Sequence, residues 1–442
     1  MHIIKVKLST LLVGEIMEKL YQYLWKHRML GRKLYLEDGA QLEILSPGRL
    51  NCDAGPDFSN ARIRIGDTEW AGNVEIHVRA SDWYRHGHDH DAAYDSVALH
   101  VVAISDRRVT RSDGTEIPQL TATFPESFFN MYATLCDGIS DIRCAGDVAC
   151  IPSLVKTDCL ESLAVERMHV KATRIIDELH NLGGDWERTC FVTLARALGF
   201  GLNSEPFEIL ARSIPLGYLH RHADNLVQLE ALLFGQAGML DTSIHIFDEY
   251  YQLLCREYYF LARKYNLRPM KRELWKYART RPQNFPHRRI AVLAKTLYGG
   301  FSLLSRILAA AGDIDKTREL LHWELEGYWQ THSDFDREQP MGAAALGAGS
   351  VDLLMINLVA PILYAHGAAH AEPEKAETGL ELWRQLPPER NMYVRQWQQL
   401  GFDCEDAMRS QALLQLRKQY CDSGRCLDCR LGHWLLRAKV NG

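Results

Sequence analysis

Hydrophobic and polar positions alternate along the first 125 residues and then change period. MEKLYQYLWKHRML, stopping at Gly31, has the apolar spacing of a short amphipathic helix. LYLEDG, AQLEILSPG, ARIRIG, VEIHV and SVALHVVAI follow, divided by Gly, Pro, Asp and Asn, and read as strands. The last is apolar throughout, which predicts at least one buried strand. From about residue 155, SLVKTDCLESLAVERMHVKATRIIDELHNLGG and the runs after it place apolar residues at helical spacing. Asp185 caps one such run, and Ser204 caps another with Pro206 in its first turn. No fixed repeat length recurs, so a solenoid is not expected. The expected fold class is α+β. A mixed α/β domain spans 1–125, a connection 126–154, a helical domain 155–403 and a Cys-rich helical segment 404–442.

Composition narrows this little: 47% hydrophobic and 24% charged residues describe an ordinary globular chain of 442 residues. A net charge of −5 excludes a protein that is basic overall. The 11 cysteines are odd in number and mostly scattered, which implies a reducing compartment rather than a disulfide scaffold. The longest apolar run, LLMINLVAPILYAHG, is broken by Asn357 and Pro361 and predicts a kinked core helix, not a membrane span. A cytoplasmic protein is the expectation; oligomeric state is not legible.

The candidate chemistry begins in GPDFSNARIRIGDTEWAGNVEIHVRASDW, a hairpin with Asp57 at its entry and Glu75 in its second strand. Residues i and i+2 of a strand share a face, so Glu75 and His77 point together, and Asp57 can reach them. Convergent carboxylates suit Mg²⁺ or Mn²⁺, with His77 orienting a water. Pro56-Asp57 followed by Glu75-Ile76-His77 resembles the PD-(D/E)XK nuclease superfamily, with histidine where that family usually has lysine. The resemblance implies phosphodiester hydrolysis on nucleic acid, with Asp57, Glu75 and His77 as catalytic residues. The alternative is a non-catalytic nucleic-acid-binding or scaffold protein on a degenerate nuclease fold. YRHGHDHDAAYD adds His86, His88 and His90, with His100 in the next strand. Histidines two apart suit zinc, manganese or iron, which opens a third reading, a zinc hydrolase built on this cluster.

Two further segments stand out. Residues 256–289 hold 11 Lys or Arg against Glu257 and Glu273, with aromatics interleaved. Arg279, Arg281, Arg288 and Arg289 are expected to form an exposed surface for nucleic-acid phosphates. YCDSGRCLDCRLGHW places Cys421, Cys426 and Cys429 within nine residues, with His433 four further on. Zinc closed by His433 is the local solution, with Cys404 as another fourth ligand. Likeness to nucleases that carry a terminal cysteine triplet implies instead an iron–sulfur cluster closed by a distant cysteine such as Cys52. Across its length the chain also resembles an uncharacterised bacterial family known only as a domain of unknown function. The residues carrying that likeness are AGPDFSNARI, GNVEIHV, SDWYRHGH, LLFGQAGML, WKYARTRPQNFP and YCDSGRCLDCRLG.

Overall fold

The computed structural model describes residues 10–31, 33–51, 53–124, 126–137, 140–241, 246–278, 280–338 and 344–441. They form two units, one of Met1–Ile151 with Tyr420–Gly442 and the other of Pro152–Gln419. In the first, helix α1 (Thr10–Lys26) precedes strands β1 (Leu34–Tyr35), β2 (Gln41–Ser46), β3 (Arg49–Leu50), β4 (Phe58–Ile65) and β5 (Thr68–Arg79). The short helix α2 (Asp82–Arg85) leads to β6 (Val97–Ile104) and β7 (Gln119–Thr121). All seven strands share one sheet, ordered β1-β2-β4-β5-β6-β7, with β3 paired to β4. Pairing is antiparallel up to β5 and parallel from β5 to β6 and β7.

The five strands read from alternation are all present. β5 shows why it sits centrally: its first half is exposed, whereas Val74, Glu75, Ile76 and His77 are all buried. α1 packs against β5 and buries Leu20, Tyr21, Leu24 and Trp25, an amphipathic stripe at helical spacing. Ala80, Trp83, Val97, Val102, Val109 and Ile117 form a core beyond the end of β5. Helix α3 (Glu126–Asp137) lies in the stretch read as a connection. The terminal helix Arg430–Asn441 packs on α3 and buries Leu431, Leu435 and Leu436.

The second unit is helical as expected, beginning with the 29-residue helix Ser153–Asn181. Among the described residues, one helix, Ala348–Ala369, is long and apolar enough to cross a membrane, but most of its apolar window is buried inside the protein. Pro361 offers no N–H to the Asn357 carbonyl and its ring crowds that carbonyl. The turn Met355–Val359 is accordingly widened to a π-helix. This is the interruption expected of a kinked core helix.

Candidate metal centre

The hairpin that positions the acidic residues is irregular. Phe58 pairs with Val74 and Ala61 with Gly72, so Ser59 and Asn60 bulge opposite Asn73 alone. Asn60 takes the left-handed conformation (φ 56°) and its N–H donates to Asn73 Oδ1 at 3.2 Å. Asp57 lies just before this bulge. Its N–H donates to Glu75 Oε2 at 3.0 Å, and its Oδ2 accepts the Ile76 N–H at 3.0 Å. Gln22 Nε2, from α1, donates to Asp57 Oδ1 at 2.9 Å. The two carboxyls that the sequence pairs are therefore brought together. Burial pushes both above the usual carboxylate range; the Glu18 carboxylate adds to both shifts, and Asp57 adds to that of Glu75. Buried acids this close ionise together only beside a cation.

Alternation along β5 puts Glu75 and His77 on one face, and the parallel register places His100 of β6 opposite Glu75. After β5, α2 turns the chain back, and Gly87 (φ 75°) supplies the left-handed step between His86 and His88. One ligand atom from each of His77, His86 and His88 lies within 4.8 Å of the others. His77 Nε2 is 3.2 Å from His86 Nδ1 and 3.6 Å from Glu75 Oε1, which is 3.5 Å from His88 Nε2. Ligands of a tetrahedral ion with bonds of about 2.1 Å stand about 3.4 Å apart, close to these three spacings, while the group within mutual reach is the three histidines. Burial holds His77 down to about 2, with His100, His86 and His88 adding to the shift, and His88 down to about 4. Neutral imidazoles are the form that ligates. A donor set of three imidazoles, with Glu75 beside two of them, suits zinc or manganese better than magnesium, which takes oxygen ligands.

The supports reach further than the ligands. His77 Nδ1 is 2.9 Å from His100 Nε2, and His100 Nδ1 is 3.3 Å from Gln119 Oε1. His88 stacks on Tyr94 at 3.7 Å between ring centroids and meets the Trp83 ring edge-on at 5.3 Å. Trp83 is itself fixed by its Nε1 donating to the Thr110 carbonyl at 3.1 Å.

The remaining expected residues fall in three places. His77 is 1% exposed, with both ring nitrogens facing other histidines. Arg288 and Arg289 do not form an exposed surface, each being 3% exposed, because the helix Pro286–Leu297 is buried through its first turns. Arg281 is exposed, and Arg279 lies outside the described residues. The interleaved aromatics are partly core: Tyr258 and Trp275 are buried, and Trp275 Nε1 donates to the Ala237 carbonyl at 2.8 Å. Lastly, Cys421, Cys426, Cys429 and His433 do not gather on one point among the described residues. Local partners hold them instead. The Cys429 sulfur accepts the N–H groups of Leu431 and Gly432 at the start of the terminal helix, and Arg143 bonds to Cys426. His433 Nδ1 is 2.7 Å from the Tyr23 hydroxyl. Cys144, not part of the expected set, neighbours Cys426 and Cys429, and burial pushes its thiol up to about 12. Cys404 is buried in the helical unit, and Cys52 lies outside the described residues.

Glu18 was not legible as a site residue. The available signal was its polar pairing with Gln22, one turn apart, beside the buried stripe of α1.

The chain belongs to the family described as Protein of unknown function (DUF2851), whose model matches residues 18–392. That span holds Glu18, the hairpin, the histidine cluster and most of the helical unit, and ends before Cys421. No curated protein and no solved structure matches the chain.

Proposed function

We propose that the N-terminal unit is a metal-dependent phosphodiester hydrolase of nuclease-like type, with one ion held by Glu75, His77, His86 and His88. The observation that carries this reading is the spacing of Glu75 Oε1, 3.6 Å from His77 Nε2 and 3.5 Å from His88 Nε2, beside the imidazole cluster. A bound zinc or manganese ion would lower the pKa of a coordinated water and polarise a phosphoryl oxygen. Asp57 is the acid–base group: burial raises its carboxyl, so it can take and return a proton near neutral pH. Gln22 and the Ile76 amide fix its orientation, and Glu18 adds negative charge for a cationic site. Phosphodiester chemistry is supported by the likeness of Pro56-Asp57 and Glu75-Ile76-His77 to the nuclease signature. Nucleic acid in the cytoplasm is the corresponding substrate and place.

The burial of Glu75 and His77, 5% and 1% exposed, favours a second reading, a hydrolase for a substrate smaller than a strand. Both are tested with protein stripped by chelator and reloaded with Zn²⁺ or Mn²⁺. Cleavage of a labelled oligonucleotide, abolished in Glu75→Ala with folding intact, supports the first. Cleavage of bis-p-nitrophenyl phosphate alone supports the second. Metal-loaded protein inactive on both would leave a non-catalytic binding role.

A further inference from the structure

Two cavities of the helical unit, of about 720 and 540 Å³ and both open to solvent on one side, have linings that share Leu353 and Glu389. The smaller is cationic. Arg167, Lys171, Arg174, Arg196 and Lys418 line it, against Glu389 as its one lining carboxylate. Arg167, Lys171 and Arg174 come from the helix Ser153–Asn181 at i, i+4 and i+7, which is a single stripe. Arg174 and Arg196 both pair with Glu208, which Arg212 shares. Arg167 and Lys171 have no carboxylate within ion-pair distance among the described residues. Arg167 donates to Gln411 and Gln415 at 3.4 and 3.5 Å. Lys171 Nζ donates to Asn357 Oδ1, from the π-helix that Pro361 imposes. Burial, with Arg167 adding, holds the Lys171 amine down to about 7.

The larger cavity repeats the pattern with Arg281, Arg288, Arg289 and Arg390. Its other lining acid, Asp352, is taken by Arg318 at 3.2 Å. Arg289 is 3% exposed, yet its Nε and Nη1 have no hydrogen-bond partner. Its guanidinium lies 4.4 Å over the ring of Phe200, which lines the smaller cavity, so Arg289 stands where the two adjoin. Unpaired buried cations are costly to desolvate, and a counter-anion offsets that cost.

We propose that these adjoining cavities bind a compact, multiply charged phosphate compound, an inorganic polyphosphate or the polyphosphate arm of a nucleotide, through Arg167, Lys171 and Arg289. Guanidinium forks match phosphate oxygens in pairs, and lysine adds a point charge. Cavities of several hundred cubic ångström are of the size that takes small ligands of this kind.

The test uses the full chain, with binding measured by calorimetry and by thermal shift at constant ionic strength. Probes are tripolyphosphate and ATP, with sulfate and citrate as controls. Both probes are expected to raise Tm saturably beyond the controls. Lys171→Met and Arg167→Gln should each weaken binding at least tenfold, with the ligand-free Tm of Lys171→Met unchanged or higher. Equal affinity for the two probes assigns recognition to the phosphates alone, and tighter ATP binding assigns a nucleotide. No saturable shift with either probe, unchanged affinity in both variants, or preference for citrate would overturn the proposal.

Discussion

Gln119 links the histidine cluster to the edge of the sheet. Its Oε1 faces His100 Nδ1 at 3.3 Å, while its Nε2 donates to Ser105 Oγ at 2.7 Å and Glu37 Oε1 at 3.2 Å. An amide oxygen there selects the His100 tautomer with a proton on Nδ1, leaving His100 Nε2 to accept from His77 Nδ1–H. His77 Nε2 is then free as a lone pair toward Glu75 and His86. Removing such a support typically costs ten- to a hundredfold in metal affinity. Gln119→Leu should therefore weaken zinc binding by about that factor with the circular dichroism spectrum unchanged; unaltered affinity would show that the tautomer is set elsewhere. A second buried group reports through pH. Glu230, accepting from Tyr250 and Trp329 at 2.7 and 2.8 Å, is raised by burial to about 7. Its folded pKa exceeds its unfolded value, so the acid stabilises the fold below about pH 4.5 and that contribution is lost as pH rises through 7. The loss is on the order of 3 kcal/mol for this shift. Denaturation at pH 5 and pH 8 should show the decline in the native chain and a smaller one in Glu230→Gln; equal declines would assign it to other groups. At this scale the sequence exposed residue types but not their surroundings. His86 and His90 read equally well as a solvated polar loop, and the turn at Gly87 that brings His86 and His88 to His77 left no periodic signal.

Period was the more legible quantity for whole elements. Alternation located β2, β4, β5 and β6, since a half-buried strand must alternate or, when covered on both faces, become apolar. β3 and β7, of 2 and 3 residues, are too short to show a period. The bulge at Ser59–Asn60 left no pattern because it rests on one left-handed asparagine. Charge misled in the helix Pro286–Leu297: two adjacent arginines read as surface, yet a cavity inside the helical unit admits them. The cysteine spacing did not show that Cys429 accepts N–H groups of the helix that follows it. Helix packing gives a further prediction. A Cβ on Gly235 would stand 2.1 Å from the Tyr258 ring, where the helix Leu226–Gln236 crosses Glu249–Tyr265. Gly235→Ala should destabilise the chain by about 3 kcal/mol through overpacking, read from the urea midpoint. A change below about 0.5 kcal/mol would mean that Tyr258 moves freely.

At the scale of the whole molecule, the chain leaves its first unit at Ile151 and re-enters it at Tyr420, so the helical unit is an insertion between two parts of the sheet-bearing unit. Both candidate sites fall within the span matched by the family, residues 18–392, apart from Tyr393, Leu414 and Lys418 of the smaller cavity. The cysteine cluster falls outside it. One metal measurement therefore separates the histidine–carboxylate centre from the cysteines. X-ray absorption of the zinc-loaded full chain, with metal content determined on the native protein and on His88→Ala, reads the ligands directly. The account predicts one ion per chain with only nitrogen and oxygen neighbours at about 2.0–2.1 Å, and loss of that ion in His88→Ala. Sulfur neighbours at about 2.3 Å, or full metal content retained in His88→Ala, would contradict it.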